Sequence, residues 1–159
     1  MAKKPEKKLR VLFVDEKNDT TSQLAEHYAR SLFGDRYEVY SAGPEHDIID
    51  CEMISVAYIS GEDLRKQVSK DFRDEYRMLT ADGDYDYVIY LLKSVYDKWA
   101  PRTPWQGKQI LADLGGIMDY KFTDDKEMVD AFRLLMEKVR SWVAENLADP
   151  EKLKAAVSA

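Results

Sequence analysis

The feature that most constrains the fold lies near the start of the chain. Leu9-Arg-Val-Leu-Phe-Val14 is a short apolar run rich in strand formers, and it stops abruptly at a polar stretch. A continuous apolar run of this length fits a strand buried on both faces, as in a parallel sheet. Residues 15–21 are polar and suit a loop. From Ser22, apolar residues at Leu24, Ala25, Tyr28, Ala29 and Leu32 repeat with the spacing of one helix face, and Gly34 ends the pattern. Tyr37-Glu-Val-Tyr40 reads as a second strand, closed by Ser41-Ala-Gly43-Pro44. Strand, loop, helix and strand within about 30 residues make a βαβ unit, with a right-handed crossover expected.

Further along, residues 47–58 suit a short helix carrying Ile48, Cys51, Ile54 and Val56, and Gly61 interrupts it. Leu64, Val68, Phe72, Tyr76 and Leu79 then fall mostly four apart, which predicts a long amphipathic helix over 62–80. Its charges, Arg65, Lys66, Lys70, Arg73 and Arg77 against Asp63, Asp71, Asp74 and Glu75, read as a solvated mixed-charge face. Asp82-Gly83-Asp84 is a turn, and residues 85–92 form the most apolar strand, expected at the centre. Residues 93–113 read as a helical turn and loop leading to a fourth strand near 109–111. Asp124 followed by Glu127 starts a final helix in the manner of a capping box. That helix carries Met128, Ala131, Phe132, Leu135, Met136, Val139, Trp142 and Val143. Residues 1–8 read as a basic tail, 9–147 as one domain and 148–159 as a C-terminal tail.

Alternating strands and helices predict a parallel sheet covered on both faces. In such sheets ligands sit at the carboxyl ends of the strands. The exit of the first strand, residues 15–22, is therefore where chemistry is expected.

Charge narrows the function. Within 159 residues there are 30 Asp and Glu against 24 Lys and Arg, a net charge of −6. An acidic surface of this kind argues against nucleic acid or an anionic membrane as partner. Cys51 is the single cysteine, so an intramolecular disulfide and a thiolate zinc cluster are excluded, and a buried, inert thiol is expected there. The apolar run from Val11 to Val14 is too short for a signal peptide or a membrane span, which points to the cytoplasm.

The same loop carries a more specific likeness. Val-Leu-Phe-Val14 precedes Asp15-Glu-Lys-Asn-Asp-Thr-Thr21-Ser22 and then Gln23-Leu-Ala-Glu26. The second strand ends in Tyr40-Ser41-Ala42-Gly43, and Ile59-Ser60-Gly61 and Asp86-Tyr87-Val88-Ile89 follow. Together these segments resemble the low-molecular-weight protein tyrosine phosphatases and thioredoxin-coupled arsenate reductases. In that family an apolar strand leads into a Cys-x5-Arg-Ser/Thr loop and a helix opening Gln-x-Ala-Glu. The resemblance implies a single three-layer, flavodoxin-like α/β domain with about four parallel strands in the order 2-1-3-4.

Two departures bear on function. Asp15 stands at the position of the family's nucleophilic cysteine, and Thr21 at that of its oxyanion-binding arginine. A carboxylate is a poorer nucleophile than a low-pKa thiolate, and a threonine hydroxyl cannot offer the bidentate donors of a guanidinium. Asp15, Glu16 and Asp19 also outweigh Lys17. One phosphate–carboxylate contact at about 4 Å costs on the order of 4 kcal/mol at an effective dielectric of about 20. The amides of a helix start return only about 1 kcal/mol per charge, so repulsion wins. The loop 15–22, comprising Asp15, Glu16, Lys17, Asn18, Asp19, Thr20, Thr21 and Ser22, is thus expected to be a degenerate phosphate loop. The expected role is binding or regulation, with an undefined protein or small-molecule partner and no cofactor. The family's general acid precedes the last helix; Asp119 is the nearest counterpart, with Asp113, Asp124 and Asp125 competing.

Other readings use the same residues. Asp15, Glu16 and Asp19 offer hard oxygen ligands for Mg²⁺ or Ca²⁺, although their spacing matches no standard site. The simpler alternative is that Asp15 or Asp19 accepts hydrogen bonds from the helix amides. Asp15 could also serve an enzyme as nucleophile. An acidic pair after the first strand further resembles a receiver domain with a Mg²⁺-dependent switch, but the third strand ends in Tyr90-Leu91-Leu92-Lys93, with no phosphoacceptor aspartate. His27 and His46 lack partners at ligand spacing, and Tyr90, Tyr96, Trp99, Trp105 and Tyr120 suit the core.

Overall fold

A computed structural model describes residues 8–73, 84–103 and 106–158. The strands are β1 (Leu9–Val14), β2 (Tyr37–Ala42), β3 (Asp84–Tyr90) and β4 (Gln106–Leu111). They form one parallel sheet in the order β2-β1-β3-β4. This is the expected flavodoxin-like arrangement. Val11 pairs with Val39 on one side and Tyr87 on the other, so β1 has neighbours on both edges, as its apolar run requires.

Alternate residues of β1 face opposite sides of the sheet. Val11 and Phe13 enter the larger core, with Leu24 and Ala25 of α1 (Thr21–Phe33), Met53 and Ala57 of α2 (Cys51–Ile59), and Phe132, Leu135 and Val139 of α4 (Asp125–Leu147). Leu12 and Val14 enter a smaller core with Tyr90 and with Val95 of α3 (Lys93–Trp99). Phe72 and Trp99 close that side in an edge-to-face pair at 5.4 Å, and Tyr96 meets Tyr90 in the same way at 5.5 Å. Tyr120 packs partly buried against the larger core. Trp105 lies outside the described residues. Asp124 caps α4 by accepting the Glu127 N–H, and the Glu127 carboxylate reaches back to the Thr123 N–H.

Several expectations are corrected. The helix expected over 47–58 begins only at Cys51, because the Asp50 carboxylate caps it through the Glu52 and Met53 N–H groups. Cys51 is exposed, since α2 turns Met53, Val56 and Ala57 inward. Residues 62–73 form no helix, and residues 74–80 of that prediction lie outside the described residues. The Lys70 carbonyl accepts the Gly43 N–H, and the Gly43 carbonyl accepts the Phe72 N–H, so this segment runs alongside the end of β2. Leu64 anchors it in the core, while Lys70 and Asp71 are buried rather than part of a solvated face. The fourth strand spans Gln106–Leu111, longer than 109–111. Residues 148–159 do not form a tail throughout: α5 (Pro150–Ser158) folds back and buries Leu153 in the larger core. No helix among the described residues is long and apolar enough to cross a membrane.

Candidate functional site

The loop between β1 and α1 is built around one carboxylate. Asp15 leaves the end of β1 with 4% of its surface exposed. Its Oδ1 accepts the Asn18 N–H at 2.6 Å, and its Oδ2 accepts the Ser22 N–H at 2.8 Å, in the first turn of α1. Thr20, immediately before α1, gives it no side-chain cap. Asp15 therefore supplies the capping acceptor from further upstream, where helix amides otherwise attract an anion. Desolvation by burial pushes the Asp15 carboxyl up from 3.8 to about 6, opposed by the hydrogen bonds from Ser22 and Asn18.

Asn18 holds the loop in shape. Its φ of 51° lies in the left-handed region, which asparagine tolerates better than most residues. Its side chain is fully buried. Nδ2 donates to Ser22 Oγ at 2.7 Å, while Oδ1 accepts Gln23 Nε2 at 2.9 Å and the Lys70 N–H at 2.8 Å. Gln23 extends the network to the Val68 carbonyl and receives Gln67 Nε2. Behind it, Lys70 Nζ lies 3.7 Å from Glu26, whose carboxylate also accepts the Ser41 hydroxyl. The segment 67–71 thus backs the loop that the sequence places far from it.

Gly43 sits where two stretches of backbone meet. A Cβ added there would stand 2.8 Å from the Glu16 and Glu45 carbonyl oxygens and 2.9 Å from that of Asp15. This close approach is the physical reason for the glycine in Ser41-Ala42-Gly43. Gly43→Ala is expected to destabilise the fold by about 2–3 kcal/mol, because backbone has to move to admit the methyl group. The check is a urea midpoint; a loss below about 0.5 kcal/mol would mean the loop yields freely.

The loop opens on a cleft of about 400 Å³ lined by Asp15, Glu16, Lys17, Asp19, Thr20 and Thr21. Asp50 and Leu92 complete one part of the wall, and Gly116, Ile117, Met118 and Asp119 the other. Thr21 Oγ1 donates to the Gly115 carbonyl at 2.8 Å, joining the start of α1 to this second loop. The Asp119 carboxylate accepts the Gly116 N–H at 3.0 Å. The fold therefore brings Asp119 to the cleft, whereas Asp124 caps α4 and Asp113 is exposed after β4. Asn18 and Ser22 lie beneath the surface. Burial raises the Asp19 carboxyl, and Asp47 and Asp50 add to the shift. Among the described residues no group of three or more His, Cys, Asp or Glu is arranged to hold a metal ion. His27 pairs with Glu62, and His46 with Asp71.

Sequence reasoning did not identify Asp50, Leu92, Gly116, Ile117 and Met118 as cleft residues. Asp50 precedes a helix and looks like an ordinary cap, while the segment 115–119 carries no periodic pattern.

No family model and no curated protein matches the chain. Solved structures do match. An arsenate reductase in a phosphate-binding state aligns over 88% of this chain and 97% of its own, with a TM-score of 0.60 and 24% identity. A low-molecular-weight protein tyrosine phosphatase from T. tengcongensis aligns over 86% and 99%, with a TM-score of 0.62 and 21% identity. A protein tyrosine phosphatase from Entamoeba histolytica with Hepes in its active site aligns over 92% and 99%, with a TM-score of 0.64 and 19% identity. These likenesses establish a shared fold.

Proposed function

We propose that this chain, which has the fold of the low-molecular-weight tyrosine phosphatases and arsenate reductases, is a non-catalytic member of that family that acts by binding. The observation that carries this reading is the placement of Asp15. Its carboxylate takes the Asn18 and Ser22 N–H groups, the donors that an incoming anion would need. An internal anion already occupies the cradle. Thr21, at the arginine position, spends its hydroxyl hydrogen on Gly115. Glu16, Asp19 and Asp119 add negative charge around the mouth, against Lys17. Phosphate, phosphotyrosine and arsenate meet repulsion there. Asp119, although at the cleft, has no covalent intermediate to serve. The partner is a protein or small molecule met in the cytoplasm, with no cofactor involved.

Turnover decides the matter. Assays with p-nitrophenyl phosphate and with arsenate plus thioredoxin are expected to stay at background. Activity abolished by Asp15→Ala would overturn the reading and make Asp15 a nucleophile. The double variant Asp15→Cys with Thr21→Arg is expected to regain stabilisation by sulfate, since it empties the cradle and restores a bidentate donor. If sulfate does not raise its Tm, the anion-binding shape is lost as well as the residues. A parallel scan with Mg²⁺ and Ca²⁺ tests the cation reading: stabilisation that Asp15→Asn removes would favour it.

A further inference from the structure

The cleft wall carries one large apolar side chain, Met118, that the fold leaves uncovered, and a second, Ile48, stands exposed two residues before the lining Asp50. Met118 is 92% exposed and Ile48 80% exposed. Met118 shares the cleft wall with Ile117 and Leu92. Ile48 belongs to the segment that clasps the loop, with the Asp47 N–H on the Lys17 carbonyl and the Asp50 N–H on the Asp19 carbonyl. An apolar rim around a polar centre is the usual anatomy of a docking site, and methionine adapts to varied partners.

Charge selects the occupant. Among the described residues that line the cleft, Asp15, Glu16, Asp19, Asp50 and Asp119 stand against Lys17, with the buried Lys70 behind Asp15. The positive end of α1 does not offset them, because Asp15 already takes the Ser22 N–H. Lysine and arginine combine an apolar stem with a cationic head, which matches a wall of Leu92, Ile117 and Met118 beside carboxylates. A volume of about 400 Å³ admits such a side chain. We propose that this face docks a polypeptide segment presenting an exposed lysine or arginine next to an apolar residue. This deepens the binding reading above and rests on it.

The test is fluorescence anisotropy with a labelled peptide of sequence Gly-Ser-Leu-Arg-Leu-Lys-Ser-Gly, against a control with Glu at both cationic positions. Binding by the unaltered protein is expected to weaken about tenfold in Glu16→Lys and several-fold in Met118→Ser, and to fall as salt shortens the Debye length below about 10 Å. Both side chains are exposed, so both variants should keep the original Tm. The proposal is overturned if the Glu control binds equally, if both variants bind as the original does, or if no binding occurs. Phosphatase or reductase turnover would sink the binding reading itself; absent turnover together with absent peptide binding sinks only the cationic partner.

Discussion

Asn18→Ala is expected to cost more than about 3 kcal/mol of unfolding free energy, the largest loss of any single polar substitution in the loop. The change leaves the Lys70 N–H without its Oδ1 acceptor and Ser22 Oγ without its donor, while Gln23 Nε2 loses one of three acceptors and keeps the Asn18 and Val68 carbonyls. Each unsatisfied buried group costs about 1–3 kcal/mol. Alanine at a φ of 51° adds about 1 kcal/mol of backbone strain. Asn18→Gly separates the two effects, because it relieves the strain and still removes the network. Urea titrations followed by tryptophan fluorescence provide the measurement. A loss below about 1 kcal/mol in the alanine variant would mean that solvent replaces these bonds and that the segment 67–71 is not tied to the loop.

The second large effect concerns pH. Burial lifts the Asp15 carboxyl from 3.8 to about 6, so the folded state binds this proton more tightly than the unfolded chain does. The contribution of this group to stability therefore rises as pH falls through 6 and levels off near 4. With about 1.4 kcal/mol per pKa unit, its size is about 2–3 kcal/mol between pH 7.5 and 4. Asp15→Asn cannot titrate, and its Oδ1 can serve only one of the two N–H donors as before. The difference in unfolding free energy between the two proteins is expected to move toward the aspartate form by that amount on acidification. Asp19 and Lys70, the charged neighbours acting on this site, are present in both proteins and largely cancel. A difference that stays flat across this range would mean that water reaches the carboxylate and that the cradle is open to other anions.

Both expectations concern the part of the molecule most legible in the sequence. The first strand, the polar loop and α1 follow from a continuous apolar run and a helix-period pattern, each a local property of the chain. Capping by Asp15 or Asp19 is legible in the same way, because an acid ahead of a helix start has few better uses. Asp124 was legible as a cap for the same reason. The segment 62–73 was not. Leu64, Val68 and Phe72 fall four apart, yet Leu64 enters one core, Phe72 the other, and Val68 stays exposed. Hydrogen bonds to Gly43 and Asn18 outcompeted the helix, and neither partner is a sequence neighbour. Lys70 looked like solvated charge, but Glu26 and the Val68 carbonyl receive it in the interior.

From the residues alone came the α/β class and the position of the candidate site at the exit of β1. Those depend on pattern and identity, which a chain carries before it folds. Tertiary structure alone decided that the Asp15 carboxylate turns inward onto Asn18 and Ser22, that residues 67–71 support it, and that Met118, Asp119 and Asp50 meet over it. These facts rest on packing between segments distant in sequence, where the burial of one carboxylate and the closing of one cleft are settled by the shape of the whole domain.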